Sequence, residues 1–169
     1  MQPDGTFAVG YTYAKPYSAP YVTAQMLPFL EVSGRYTRIQ GYDLSNNPGW
    51  EGYGDYKDKS AALKLRLLPE NFQGYRWIPE VSIGIDDFHG TQLFRSEFIA
   101  ASKRLDFDWG YVDGTLGYGR KRIGGLYGGA RLGLAAFPDW AVVAEYDRTR
   151  YSYDRLYQYT GMAQRRTGA

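Results

Sequence analysis

Residues 60–67 read SAALKLRL, and their polarity alternates at every step. Ala61, Leu63, Leu65 and Leu67 fall on one side of an extended chain. Ser60, Ala62, Lys64 and Arg66 fall on the other. A period of two is the signature of a β-strand with different media on its two faces. One face needs an apolar neighbour. The other carries two cations that need water or counter-charge. The question the chain sets is which medium lies on which side.

The alternation recurs along the sequence. Strands are expected over 6–14, 21–26, 30–40, a fourth ending at Leu67, then 79–86, 93–103, 111–119, 126–136 and 140–148. Between them lie turns over 27–29, 68–78, 103–109 and 136–139. Loops over 14–20, 41–57, 87–92 and 120–125 interleave with these turns. No segment of helical period interrupts the series, so a βαβ sheet is excluded. The expected fold is all-β: an antiparallel up-and-down meander of about nine strands over 1–150, either a soluble barrel or sandwich or a partial or small transmembrane β-barrel. Residues 151–169 lose the alternation and are expected to form an irregular C-terminal tail.

Composition narrows the functional classes. The 169 residues carry a formal net charge of +2, which gives no electrostatic case for nucleic acid. There is no cysteine, which excludes disulfides, thiolate metal sites and a cysteine nucleophile. The 17 tyrosines and 21 glycines suit a sheet with many turns and interfacial aromatics. No run of about 18 apolar residues exists for a membrane helix, but a β-barrel needs none, because half of each strand is polar. The first residues lack a basic and then apolar leader, so the chain reads as cytosolic or as a piece of something longer.

Two arrangements satisfy the alternation. In a soluble β-barrel or sandwich that binds carbohydrate or another ligand, the Leu63 face is a dry core and Lys64 and Arg66 meet bulk water. In an outer-membrane barrel the Leu63 face meets lipid and the charges line the lumen. Strands of about 9–11 residues, the length for a tilted crossing, favour the second arrangement. So do Tyr11, Tyr13, Tyr36, Trp109, Trp140 and Tyr146, which fall toward strand ends. On that arrangement Arg35, Lys64, Arg66, Arg95, Glu97 and Arg131 are the candidate lumen-facing, substrate-binding residues. Glu31, Glu80, Asp86, Glu145 and Asp147 are expected to share their face.

Enzymatic readings are weak. His89 is the single histidine and has no second histidine or G-x-S-x-G motif to work with. Asp86 and Glu97 suggest a glycosidase pair only if they face one another. Gly124 and Gly125 beside Arg120, Lys121 and Arg122 lack the strand-to-helix switch of a phosphate loop. In the loop before the fourth strand, Tyr53, Asp55 and Tyr56 are candidates for sugar stacking and hydroxyl hydrogen bonds. The same loop is equally suited to packing on the barrel wall. No catalytic residue, metal or cofactor is expected.

Four stretches carry a resemblance. They are LEVSGRYTR at 30–38, YGDYKDKS at 53–60, DDFHGTQLFRSEF at 86–98 followed by ASKR at 101–104, and VAEYD at 143–147. Together they resemble the YjbH family of exopolysaccharide-associated outer-membrane proteins, over about residues 6–150. The resemblance implies a large barrel in the bacterial outer membrane that helps move an exopolysaccharide or capsule polymer. Its implied partners are that polymer, outer-membrane lipid and other envelope polysaccharide-secretion proteins. It also implies a longer chain with a signal or lipoprotein sequence. This chain therefore reads as an N-terminal barrel segment or an incomplete reading frame. Its nine strands would need further strands from a longer chain or another copy to close. A receptor or structural barrel with no transport role is the third reading.

Overall fold

The computed structural model describes residues 1, 3–45 and 47–149. The expected tail over 151–169 lies outside the described residues. Nine antiparallel strands follow one another in a single sheet, each paired to its sequence neighbours. They are β1 Phe7–Ala14, β2 Tyr17–Leu27, β3 Leu30–Asp43, β4 Asp55–Leu68, β5 Glu80–Gly90, β6 Ser96–Phe107, β7 Gly110–Lys121, β8 Leu126–Leu134 and β9 Phe137–Tyr146. The sheet curls into a half-barrel.

The register shows which face is concave. Glu31 pairs with Lys64, Ser33 with Ala62, Arg35 with Ser60 and Thr37 with Asp58. On β5 and β6 the same face continues through Ser82 opposite Ala100 and Asp86 opposite Ser96. This polar face makes contacts that skip strands. Arg35 on β3 reaches Asp86 on β5 at 3.5 Å, across β4. Tyr17 on β2 meets Phe94, before β6, with ring centres 5.6 Å apart. Such reach is possible only on the inside of a curve. The apolar face is the convex one and stands open: Val9 is 74% exposed, Val142 69% and Trp140 77%.

The molecule therefore inverts the usual arrangement of a small protein. Among the described residues, the buried apolar side chains are Ala19, Ile39, Leu44, Phe94 and Ala100. No layer packs on the aliphatic face.

Several strand limits differ from the sequence reading, each for a local reason. β2 begins at Tyr17, because Lys15 and Pro16 alone turn the chain and Ala14 pairs directly with Tyr17. Pro20 is accommodated within β2. The pairing to β3 runs through Ser18–Arg38 and resumes at Tyr21–Arg35, lapsing where proline has no N–H to give. β4 begins at Asp55, so Tyr56 to Lys59 are strand, held by Tyr56–Ile39 and Lys57–Arg38 pairing. β5 runs to Gly90 through a bulge at Asp87, whose φ is 53°. β6 continues to Phe107, because Arg104 and Asp106 keep the alternation and pair at 2.8 Å. β9 starts at Phe137, and its Pro138 lies on a strand paired on one side only among the described residues.

The connections gather at two mouths. Lys15–Pro16 and the segments 44–54, 91–95 and 122–125 lie at one, which we call the loop mouth. The segments 28–29, 69–79, 108–109 and 135–136 lie at the other.

At the second mouth the 69–79 connection is clipped to β6. Glu70 accepts hydrogen bonds from the Lys103 ammonium at 2.8 Å and the Arg104 backbone N–H at 3.0 Å. Burial alone raises the Glu70 carboxyl pKa, but these two donors outweigh it and leave it below its ordinary value. A depressed carboxylate stabilises above its ordinary pKa and loses that contribution as pH falls through the depressed value. Amide protection factors in 69–79, taken relative to the intrinsic rate at each pH, are therefore expected to fall as pH drops through the carboxylate range. Glu70→Gln should remove that pH dependence.

Candidate functional site

The concave wall is the candidate site, and its ion pairs explain how charges are held there. Arg35 lies between the Asp86 carboxylate at 3.5 Å and the Phe94 ring at 5.5 Å. Arg66 reaches Glu80 at 3.8 Å and donates to the Pro28 carbonyl, which ties β4 to the β2–β3 turn. Arg131 stands opposite Asp113 in the strand register and sits 5.7 Å from the Tyr111 ring centre, while Asp113 lies 3.9 Å from Arg104. Lys64 stands opposite Glu31. Neither side chain makes a hydrogen bond or ion pair with any described residue. Arg35, Lys64, Arg66 and Arg131 thus share the concave wall, as the alternation predicts.

Arg95 and Glu97 do not. Glu97 pairs with Ile85, which places it on the convex, aliphatic face. There it accepts a hydrogen bond from Lys121 at 2.6 Å and lies 3.6 Å from Arg95, which precedes β6. The sequence reading assigned both to the polar face. The strand itself starts at Ser96, and Ser96 rather than Glu97 continues the wall. This also removes the glycosidase pairing: Asp86 faces inward opposite Ser96, and Glu97 faces outward. His89 pairs with Ala61 on the convex side and has the Phe88 ring beside it at 6.4 Å. Among the described residues no group of three or more potential metal ligands occurs.

The YGDYKDKS stretch is engaged with itself and its neighbours. Asp55 holds Arg38 at 2.7 Å with one oxygen and the Gly41 N–H at 3.0 Å with the other. The Lys57 ammonium covers the Tyr53 ring at 4.7 Å, and Trp50 meets that ring edge-on. Tyr56 packs edge-on against Tyr42. The packing role is the one this geometry favours.

Two features of the wall were not anticipated. The first lies at the loop mouth. Asp58 and Asp87 are both 0% exposed. Asp58 accepts the Thr91 hydroxyl, and Asp87 accepts the Phe94 N–H at 2.7 Å. These bonds fold the 91–95 connection inward, so that Phe94 is buried between Tyr17 and the guanidinium of Arg122, 4.5 Å from its ring centre. The second is a pattern of aromatic rings over glycines. Tyr21 pairs with Gly10, Phe98 with Gly84, Tyr127 with Gly117 and Tyr111 with Gly133. In each pair the ring occupies the space that a Cβ on the glycine would need. Each ring thus leans over its glycine. Arg104 covers Tyr111 at 3.9 Å.

Phe94→Ala is expected to destabilise the fold by about 3 kcal/mol, since it empties the mouth cluster. An unfolding titration against wild type measures it.

Comparison with known proteins agrees with the motifs. The family described as "Exopolysaccharide biosynthesis protein YbjH" matches residues 1–131. A protein of Escherichia coli (strain K12), named "Uncharacterized lipoprotein YjbH", is 36% identical over 124 residues. The match covers 73% of this chain and 17% of that protein, so the chain spans a small part of the relative's length. No solved structure matches. With the family matched across most of its length and a relative at this identity, the chain belongs to the YjbH exopolysaccharide biosynthesis family.

Proposed function

We propose that this chain forms part of an outer-membrane β-barrel that assists export of an exopolysaccharide along its polar inner wall. The observation that carries the reading is the exposed convex face. It is aliphatic through its middle, with Val9, Leu65, Ile83, Ile99, Leu116 and Val142. Aromatic rings border it at both ends. Tyr11, Tyr13, Tyr36, Tyr118 and Tyr146 lie toward the loop mouth. Phe107, Trp109, Phe137 and Trp140 lie toward the other. Outward charges Arg38, Glu97 and Arg120 fall beyond the tyrosines and Lys59 is level with Tyr36, while Lys103, opposite Gly114, faces outward within the band and is engaged by Glu70 and Asn71. From Trp109 to Tyr118 an extended chain climbs about 30 Å. At the usual tilt of roughly 40° that is a height of about 23 Å, close to the apolar band of an outer-membrane barrel.

What weighs against the soluble carbohydrate-binding module is the sense of curvature. That reading needs Leu63 and Leu65 inside. The curl instead encloses Lys64 and Arg66. Family membership supports the polysaccharide role, and a relative named as a lipoprotein fits a chain held at a membrane. The mechanism is passage, not catalysis. Ion pairs along the wall keep charges solvated and fixed. A hydrated polymer meets many weak contacts and no single deep site. Polymer, lipid and other secretion proteins are the partners this implies.

Leu65→Arg is expected to cost about 2–4 kcal/mol by placing a cation in lipid, and to abolish heat-modifiable migration. Normal assembly of Leu65→Arg would count heavily against the membrane reading. Lys64→Glu and Arg131→Glu should assemble normally yet lower polymer secretion. Unchanged secretion would favour a barrel with no transport role.

A further inference from the structure

The aromatic rings seated over glycines suggest what the inner wall recognises. A ring that stands into a channel obstructs it. A ring laid along the wall turns a flat apolar face toward whatever passes. Tyr21, Phe98 and Tyr127 each cover the glycine directly across from it, with the Phe98 and Tyr127 planes at 88° to one another. Tyr111 covers Gly133 too, but Arg104 occupies its face. Phe98 and Tyr127 meet edge to face, with centres 6.3 Å apart.

Each open ring borders a cavity with polar company. A concavity of about 300 Å³ has Tyr21 and Phe98 on its walls, with Thr23, Ser33, Glu31 and Lys64 between them. A second, of about 480 Å³, is bordered by Tyr127 with Asp113, Arg131 and Glu145. Glu31 and Lys64 keep their hydrogen-bonding capacity, being unpaired among the described residues. A flat apolar face flanked by free acceptors and donors is the complement of a pyranose ring, which has C–H faces and a rim of hydroxyls.

We propose that Tyr21, Phe98 and Tyr127 are stacking platforms for successive pyranose rings of the polymer, with Glu31 and Lys64 binding hydroxyls beside the first two. This rests on the reading of the chain as a polysaccharide-passing barrel and adds the subsites. The glycines are part of the device, because a side chain at Gly10, Gly84 or Gly117 would lift the ring off the wall. Each platform holds weakly, so a chain is guided without being trapped.

The test uses the full-length protein purified in detergent and labelled exopolysaccharide purified from the producing strain's culture medium. Assembly is read separately by heat-modifiable migration. In assembled protein, Tyr21→Ala, Phe98→Ala and Tyr127→Ala should each weaken equilibrium binding about threefold to tenfold. Tyr21→Phe should stay within about twofold of wild type, because the platform survives. Gly10→Ala removes no aromatic but displaces the Tyr21 ring, and should weaken binding as Tyr21→Ala does. Assembled wild type with no saturable binding overturns the platforms and leaves the barrel standing. So does assembled Tyr21→Ala or Gly10→Ala that binds as wild type. A wild-type protein that stays monomeric without detergent overturns the barrel reading itself.

Discussion

The whole structure depends on one constraint: neighbouring strands must stay in a register that keeps most polar side chains of the middle of the sheet on the inside of the curl. A slip of one residue would exchange the faces of a strand. The Glu31–Lys64 and Asp113–Arg131 cross-strand pairs mark that register on opposite halves of the wall. The Arg35–Asp86 contact, which bridges over β4, depends on register and curvature together. With the polar side chains turned to the inner wall, the outer face is left aliphatic and open. In water such a face is a liability, since it buries nothing. In lipid it is the requirement.

The two mouths differ in the same terms. At the loop mouth, buried Asp58 and Asp87 turn the 91–95 connection inward and set Phe94 under the Arg122 guanidinium. That cluster holds much of the small apolar core. The other mouth is an open rim, with Trp77 76% exposed and the 69–79 connection held by the Glu70 clip. β1 and β9 are each paired on one side only among the described residues. Further strands beside them would extend the same wall.

Much of this was legible in the sequence because period two is a direct consequence of strand geometry. The Leu63/Lys64 division, the meander and the inward placing of Arg35, Lys64, Arg66 and Arg131 all follow from it. Glu97 shows where the method fails. Near a strand end, one residue of uncertainty in the start reverses the face, and the charge of Glu97 pulled it toward the wrong one. Composition misled in the same way at Pro20, since a proline signals a break only where its missing N–H is needed. The 53–60 stretch looked like a loop because it is charged and aromatic, yet cross-strand pairing carries most of it into β4. The aromatic–glycine pairs lay in plain sight as Tyr21, Phe98 and Tyr127 on faces otherwise small or polar. Their meaning depends on which residues lie directly opposite, and one sequence does not reveal pairing between distant strands.

The central claim is the identity of the two media, and the absence of cysteine makes it directly measurable. Single substitutions Leu63→Cys, Lys64→Cys, Leu65→Cys and Arg66→Cys, in protein assembled in lipid vesicles, can be probed with a water-soluble maleimide and a lipid-attached fluorescence quencher. The account predicts strict alternation: positions 64 and 66 labelled by the maleimide, positions 63 and 65 shielded from it and quenched from the lipid. Rapid maleimide labelling at 63 and 65, or no quenching there, would contradict it.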